Sequence, residues 1–138
     1  MSQNKVFHNI IGGEITAAAD GKLMDIVNPA TGETYAVAPN SSAEDVDRAF
    51  RAAAQAFQSW RWRTPGDRQR ALLELADVIE DNAEELVAIE SENTGKPIGL
   101  TTSEEIPQVL DHLRFFAGAA RILEGRAQAE YIDRKSVV

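Results

Sequence analysis

Short β-rich runs separated by turn signals occupy the first forty residues. The run from Phe7 to Ile11 is followed by Gly12-Gly13, a pair that accepts the positive φ of a tight hairpin turn. Two further runs, Leu23 to Val27 and Thr34 to Ala38, are separated by a turn-forming segment and are expected to pair with each other. We therefore predict a small β-hairpin region over residues 1–40.

Apolar positions at helical spacing follow over residues 41–125. Ser42 is placed to cap a first helix, with Asp45 three residues later as in a capping box. Its apolar stripe comprises Val46, Ala49, Phe50, Ala53 and Phe57. Thr64-Pro65 starts a second helix, because a capping hydroxyl precedes a proline at the first helical position. The predicted buried face of that helix comprises Leu72, Leu75, Ala76 and Ile79.

Two more helices complete the helical region. Gly95 is expected to end a third helix in the left-handed conformation, and Pro97 prevents its continuation. The last helix is predicted to begin at Thr102 or Ser103, with Pro107 in its first turn and Gly125 as its stop. Residues 126–138 are expected to start a strand. The two or three short strands of residues 1–40 gain little stability alone, so they should pack against something outside the chain.

Composition excludes several classes of function and partner but does not assign a function. The 138 residues carry a formal net charge of −8, which disfavours a nucleic-acid partner. There is no cysteine, and no stretch approaches the roughly 20 apolar residues that cross a bilayer. The amino terminus lacks an apolar core like that of a secretory signal. We therefore expect a cytoplasmic protein with no membrane partner.

The residues alone indicate no autonomous active site. His8 and His112 are the only histidines, too few for a zinc site, and neither a P-loop nor a G-x-S-x-G elbow occurs. Arg61-Trp62-Arg63 fits either a nucleic-acid stacking platform or a corner between two helices, and the acidic balance favours the corner. Carboxylates such as Glu84 and Glu105 fit either acid–base chemistry or compensation of helix dipoles, and compensation is favoured.

Four segments taken together resemble the amino-terminal region of the aldehyde dehydrogenase superfamily. They are residues 26–33 (Ile-Val-Asn-Pro-Ala-Thr-Gly-Glu), 43–47 (Ala-Glu-Asp-Val-Asp), 93–97 (Asn-Thr-Gly-Lys-Pro) and 114–118 (Arg-Phe-Phe-Ala-Gly). Their order and spacing extend over most of residues 7–131. The last segment, with Glu105-Ile106-Pro107 before it, is similar to the bacterial γ-aminobutyraldehyde dehydrogenases, whose near relatives oxidise betaine aldehyde.

The resemblance implies an α/β fold in the parent family and an enzyme that oxidises an aldehyde to the acid with NAD or NADP. In that family a cysteine attacks the carbonyl and a glutamate activates water. No position of this chain matches those residues or the cofactor domain, and the isolated chain is therefore expected to be inactive and to bind no cofactor alone. The family likeness also implies a homo-oligomer, with residues 126–138 as the start of a strand used in oligomer contacts.

The resemblance also implies roles for residues that lie outside the catalytic centre. The last helix lines the substrate tunnel in relatives that oxidise aminoaldehydes, which places Glu105, Gln108, His112 and Phe116 along it, with core packing as the alternative for Phe116. The first three share one helix face, at i, i+3 and i+7. A carboxylate at Glu105 would attract a cationic aldehyde such as 4-aminobutanal. The Val27 carbonyl is implied as a ligand of a monovalent cation, with strand packing as the alternative.

We interpret the chain as the amino-terminal part of an NAD(P)-dependent aldehyde dehydrogenase. Residues 131–138 fit the family pattern poorly, and a frameshifted or truncated gene, a partial gene model or a designed fragment would each explain this. A second interpretation is a standalone interaction or regulatory module that binds a partner or a full-length relative. A third is a non-functional remnant.

Overall fold

The computed structural model describes residues 5–122, together with the backbone of residues 129–130 and 136–137. The chain divides into two compact units. Unit 1 contains the residues up to Arg61 and also Glu92–Gly95. Unit 2 contains Trp62–Ser91 and the residues from Lys96 onward.

Unit 1 begins with five short strands: β1 (Lys5–Val6), β2 (Asn9–Ile11), β3 (Glu14–Thr16), β4 (Leu23–Val27) and β5 (Thr34–Pro39). Strands β4 and β5 are antiparallel and form a three-stranded sheet with β1, in the order β1-β5-β4. Strands β2 and β3 form a separate antiparallel hairpin. The parallel pairing of β1 with β5 was not predicted, because a two-residue strand leaves no periodicity to detect.

The β2–β3 hairpin confirms the predicted turn. Gly12 and Gly13 have φ values of 63° and 88°, the left-handed region that a two-residue turn of this type requires. The turn sets the register, in which Ile10 lies opposite Ile15. The predicted pairing of β4 with β5 is confirmed too, with a register shift between Ile26 and Val27.

Helix α1 (Ala43–Trp60) begins at a buried carboxylate. Asp45 is only 2% exposed, and its oxygens accept hydrogen bonds from the backbone and hydroxyl of Ser42 at 2.8 and 3.0 Å. It also accepts from Ala19 N at 2.9 Å and from Arg48. These bonds, the Ser42 backbone N–H foremost, hold the pKa of Asp45 well below its ordinary value. The predicted capping by Ser42 and Asp45 is confirmed, and the same carboxylate fastens the β3–β4 loop.

The apolar stripe of α1 is exposed in unit 1. Phe50 is 72% exposed, Phe57 53% and Val46 49%, although their spacing is that of a core-facing helix. The opposite face carries the charges, including the exposed Arg51–Asp47 ion pair at 2.7 Å. Helix α1 is therefore amphipathic, as predicted, but most of its apolar stripe remains exposed in unit 1.

Unit 2 is helical. It contains α2 (Pro65–Asp81), most of α3 (Ala83–Thr94), the single turn α4 (Ile98–Leu100), a π-helical turn (Thr101–Glu105) and α5 (Ile106–Ala119). The predicted cap of α2 is confirmed, because Asp67 N donates to Thr64 Oγ1 at 3.2 Å and Pro65 occupies the first turn. Residues 61–64 connect α1 to α2 along the chain, and the interpretation of Arg61-Trp62-Arg63 as a corner between two helices stays a prediction.

Helices α2 and α5 pack together to form the core of unit 2. Ala76 and Ala117 are completely buried, and Leu110 is nearly so. Arg114 of α5 donates to Glu80 of α2 and lies 3.5 Å from Asp77. The prediction that Leu75 is buried was wrong, since 47% of it remains exposed while its neighbour Ala76 makes the close contact.

The start predicted for the last helix was also wrong. The helical path begins at Ile98, just after Pro97, and passes through the π-helical turn before α5. Proline lacks an N–H and its ring crowds the carbonyl four residues earlier, so a widened turn immediately before Pro107 accommodates it. The helix ends at Ala119, and the predicted stop at Gly125 lies outside the described residues.

The described backbone near the carboxyl terminus forms two short strands. Strands β6 (Ala129–Glu130) and β7 (Ser136–Val137) pair antiparallel with each other. The remaining residues of the strand expected over 126–138 lie outside the described residues, and its use in oligomer contacts stays a prediction.

Gly95→Ala should destabilise the chain by about 1–2 kcal/mol, because an L-residue is strained in the left-handed region. Gly95 has a φ of 73°, and an added β-carbon would lie 3.0 Å from Pro29 Cγ. The matched control is Gly99→Ala in α4, where nothing lies within 4 Å, and it should be neutral or slightly stabilising. Urea unfolding followed by circular dichroism measures both, and equal stabilities for the two variants would contradict the expectation.

Asp45→Asn should lower the melting temperature by roughly 5–10 °C at neutral pH, because an amide offers one acceptor oxygen where the carboxylate uses two. The folded-state pKa of Asp45 is depressed, so its contribution to stability is present above the ordinary carboxyl pKa of about 3.9 and is lost as the pH falls below that value. The difference between wild type and Asp45→Asn should therefore shrink in acid.

The control for this experiment is Asp47→Asn, two residues along the same helix. Asp47 is exposed and makes only a surface ion pair with Arg51 among the described contacts, so its loss should change the melting temperature little at any pH. Thermal unfolding of the three proteins from neutral pH to about pH 2 provides the test. A gap between wild type and Asp45→Asn that stays constant through the acid range would be inconsistent with this role for the carboxylate.

Candidate functional site

The residues expected to line a substrate tunnel lie on one helix face of unit 2. Successive α-helical residues turn by about 100°, which places Glu105, Gln108, His112 and Phe116 within an arc of roughly 80°. Gln108, His112 and Phe116 are exposed, and Glu105 is half-buried. The opposite face packs inward through Leu110 and Ala117. The structure therefore brings these four positions together on an open surface.

Phe116 points away from the core of unit 2. It is 59% exposed, and its ring lies edge-on to that of Phe115, with centroids 5.3 Å apart. The alternative of core packing for Phe116 thus has no support among the described residues of this unit. The paired rings give the face an apolar end, while Glu105 gives it a polar one.

Glu105 is held by a lysine that sequence reasoning missed. Lys96 Nζ lies 2.8 Å from Glu105 Oε2 and 3.0 Å from Glu90 Oε1. The backbone carbonyl of Lys96 accepts from Ser91 Oγ at 2.7 Å, which fixes the segment between α3 and α4. The two carboxylates, Glu105 first, raise the pKa of Lys96 above its ordinary value. Two carboxylates and one ammonium leave this cluster with one negative charge.

Glu105 ends the π-helical turn and directly precedes α5, within a helical path that starts at Ile98. Its expected compensation of a helix dipole stays a prediction. Glu84 and Glu85 do occupy the first turn of α3, as expected. No spacing rule within one helix connects Lys96 to Glu90 or Glu105, because Lys96 lies in the segment between α3, which contains Glu90, and the π-helical turn, which contains Glu105.

Val27 lies in unit 1, at the end of β4. It pairs with Thr34 directly after the register shift, and its side chain is 46% exposed. The next residue, Asn28, organises the turn, with its Oδ1 accepting from Ala30 N at 2.8 Å. The bulge changes the direction of the backbone here, and a role for the Val27 carbonyl as a cation ligand stays a prediction.

Unit 2 also contains a pocket of about 420 Å³ between α3 and the start of the last helical path. Its lining is mostly apolar and comprises Ala83, Glu84, Val87, Ala88, Ile98, Thr102 and Ile106. Among the described residues no three His, Cys, Asp or Glu side chains are grouped as metal ligands. No helix in the described part of the chain has the length and apolar character of a membrane span.

The described residues do not form a dinucleotide cradle. Such a cradle needs a parallel strand followed by a glycine turn at the amino terminus of a helix. The parallel pairing seen here involves only the two-residue β1 with β5, and no G-x-G-x-x-G follows either strand. The residues present therefore do not fit a nicotinamide cofactor by themselves.

Two segments of the family resemblance meet within unit 1. Pro29 lies against Gly95, and the Tyr35 hydroxyl donates to Asn93 Oδ1 at 3.2 Å. Comparison with known proteins agrees: residues 15–138 match the group described as the aldehyde dehydrogenase family. The chain belongs to this family. Family membership accounts for the mixed α/β architecture described above.

Individual relatives support the assignment. The chain is 40% identical over 118 residues to a putative aldehyde dehydrogenase, DhaS, of Bacillus subtilis, covering 84% of this chain and 24% of that protein. It is 42% identical over 114 residues to a 2-aminomuconic semialdehyde dehydrogenase of Danio rerio, covering 83% and 23%. An NAD⁺ complex of an aldehyde dehydrogenase from Bacillus cereus superposes with a TM-score of 0.85 at 33% identity, covering 90% and 26%. The chain thus spans about a quarter of the length of these relatives.

Glu105→Gln should lower the pKa of Lys96 more than Glu90→Gln does, because Glu105 makes the larger contribution to the raised value. Glu104→Gln is the matched control, since it removes the same charge from an exposed neighbouring residue, and it should leave the titration nearly unchanged. Side-chain NMR titration of Lys96 in alkaline solution measures all three. An equal response to all three substitutions would contradict the geometry.

Proposed function

We propose that this chain is the amino-terminal part of an NAD(P)-dependent aldehyde dehydrogenase that oxidises an aminoaldehyde, such as 4-aminobutanal, to the acid. The observation that carries the substrate proposal is the open face of α5. It presents the Phe115–Phe116 ring pair and His112, with the negatively charged cluster of Glu90, Lys96 and Glu105 at its beginning.

A face of this kind suits a substrate with an apolar body and a cationic end. Rings contact methylene groups, and a carboxylate attracts an ammonium group through a screened charge interaction. Lys96 neutralises one of the two carboxylates and lowers this attraction without abolishing it. The cluster therefore supports a moderate preference for a cationic aldehyde over a neutral one of the same length.

The chemistry itself belongs to residues that this chain does not contain. The chain has no cysteine to serve as the nucleophile that the family uses, and its described residues form no cofactor cradle. We propose that α5 contributes to substrate selection, while the reacting groups and the nicotinamide cofactor are supplied by the other three quarters of the fold. We also propose that the complete enzyme is a homo-oligomer.

The test joins this chain to the remaining part of the Bacillus cereus relative and compares 4-aminobutanal with butanal. Glu105→Gln should lower kcat/KM for 4-aminobutanal by roughly fivefold, the effect of about 1 kcal/mol of screened attraction, and should leave butanal oxidation unchanged. Glu85→Gln, an exposed acid in the first turn of α3, is the control of equal charge change.

The outcomes test two claims separately: the charge-selective role of Glu105 and the absence of activity in the isolated chain. Equal losses for both aldehydes would contradict a charge-selective role for Glu105. The 138-residue chain alone should form no NADH with either aldehyde, and aldehyde-dependent NADH from material of confirmed mass would contradict the proposed division of roles.

A second candidate function is that of a standalone module that binds a partner or a full-length relative. The exposed apolar stripe of α1 favours it, because a contiguous exposed apolar surface often marks an interaction site. A cooperative unfolding transition of a monodisperse chain would favour this module, and a broad transition or aggregation would favour a segment that depends on the rest of an enzyme.

A further inference from the structure

The pocket of unit 2 between α3 and the start of the last helical path has no part in the function proposed above. It measures about 420 Å³, and small-molecule sites typically measure about 300–1,000 Å³. Val87 in its lining is only 5% exposed, and Ala83 and Ala88 contribute single methyl groups, which leaves room for a ligand. The pocket therefore has the size and the apolar lining of a site for a small organic molecule.

The polar side chains of the lining, Glu84 and Thr102, can only accept hydrogen bonds from a ligand. The Thr102 hydroxyl already donates its proton to Ile98 O at 2.9 Å, so only its lone pairs are left. An ionised carboxylate has no proton to donate. Among the described residues no hydrogen bond or ion pair engages the Glu84 carboxylate. A ligand must therefore supply the donors.

The charge at the pocket is negative. The amino terminus of a helix such as α3 carries roughly half a positive charge, which alone would attract an anion. The first turn of α3 contains both Glu84 and Glu85, whose two negative charges outweigh that half charge. A cationic donor is therefore favoured over a neutral or an anionic one.

We propose that this pocket binds a small organic cation with an ammonium group and an apolar body. The ammonium group has three N–H donors, for which Glu84 and Thr102 offer the acceptors. The apolar body contacts Val87, Ile98 and Ile106 of the lining. A ligand of about ten non-hydrogen atoms in a pocket of this kind should bind with a dissociation constant on the order of 0.1–1 mM.

This site is distinct from the proposed substrate face of α5. Ile106 lines the pocket, whereas the adjacent Glu105 belongs to the substrate face, and successive helical residues turn by about 100°. The ligand proposed for the pocket therefore does not depend on which aldehyde the complete enzyme oxidises.

The test titrates the 138-residue chain with 2-phenylethylammonium and follows its backbone amides by NMR. Saturable shifts should appear at residues 83–88 and 98–106. The neutral analogue 2-phenylethanol should bind roughly fivefold more weakly, and the anionic 3-phenylpropanoate more weakly still. No saturable shift at these residues, or equal affinity for the ammonium and the alcohol, would overturn the proposal.

Glu84→Gln tests the charge. It should weaken binding of 2-phenylethylammonium by roughly fivefold, the modest effect of an exposed carboxylate, and leave binding of 2-phenylethanol unchanged. Glu85→Gln is the matched control, because it removes the same charge from the same turn outside the pocket lining, and it should change affinity by less than about twofold. Equal losses for the two variants would contradict a specific role for Glu84.

Ala88→Phe tests the cavity. Its ring should occupy the pocket and abolish binding of both probes, without lowering the melting temperature, because Ala88 is exposed. Ala54→Phe, at an exposed position of α1 in unit 1, is the matched control and should bind as wild type does. Undiminished binding by Ala88→Phe would overturn the proposal.

A last measurement separates a ligand site from a contact within the complete enzyme. The chain joined to the remaining part of the Bacillus cereus relative is examined with 2-phenylethylammonium by saturation-transfer NMR. Part of the signal should disappear in Ala88→Phe, as expected if the pocket stays accessible. A signal that Ala88→Phe leaves unchanged would overturn the proposal in favour of a pocket filled by the rest of the enzyme.

Discussion

Few apolar side chains are buried in this structure, and this shortage determines how its elements are held together. Among the described residues six apolar side chains are buried, and four of these are the alanines Ala18, Ala36, Ala76 and Ala117. Alanine contributes little burial energy, because its side chain removes a small area from water. Contacts between elements must therefore be specified in other ways. Polar anchors serve this purpose: Asp45 joins a loop to a helix start, Lys96 joins α3 to the π-helical turn, and Arg114 joins α5 to α2.

Local features were predictable because each is determined by a few adjacent residues. The Gly12-Gly13 turn follows from the tolerance of glycine for positive φ, and the caps at Ser42 and Thr64 follow from side-chain acceptors near free backbone N–H groups. Gly95 belongs to the same class, since a left-handed residue is the usual end of a helix. In each case the sequence and the physical requirement lie within one turn of chain.

Features that combine distant segments were not predictable. The π-helical turn reflects a balance between Pro97, which starts the helical path early, and Pro107, which does not fit a regular turn. The partners of Lys96 lie on two different helical segments, α3 and the π-helical turn, and helical periodicity does not predict contacts between separate segments. Periodicity identified the apolar stripe of α1 correctly but gave no information on its cover, because a helical pattern shows which residues share a face and not what that face contacts.

The difference between residues that anchor the fold and residues on an open face explains why the family can be assigned more firmly than the substrate. The segments that carry the resemblance make anchoring contacts: Pro29 meets Gly95, Asp45 holds the start of α1, and Arg114 pairs with α2. Anchors of this kind are required by the fold whatever aldehyde is oxidised, so they identify the scaffold. The proposed selection of a substrate rests instead on the α5 face, where Phe116 is 59% exposed and Glu105 is held by Lys96 alone among these anchors. A scaffold rich in polar anchors and poor in buried apolar area is consistent with a segment whose larger apolar surfaces are arranged for a fold that extends beyond it.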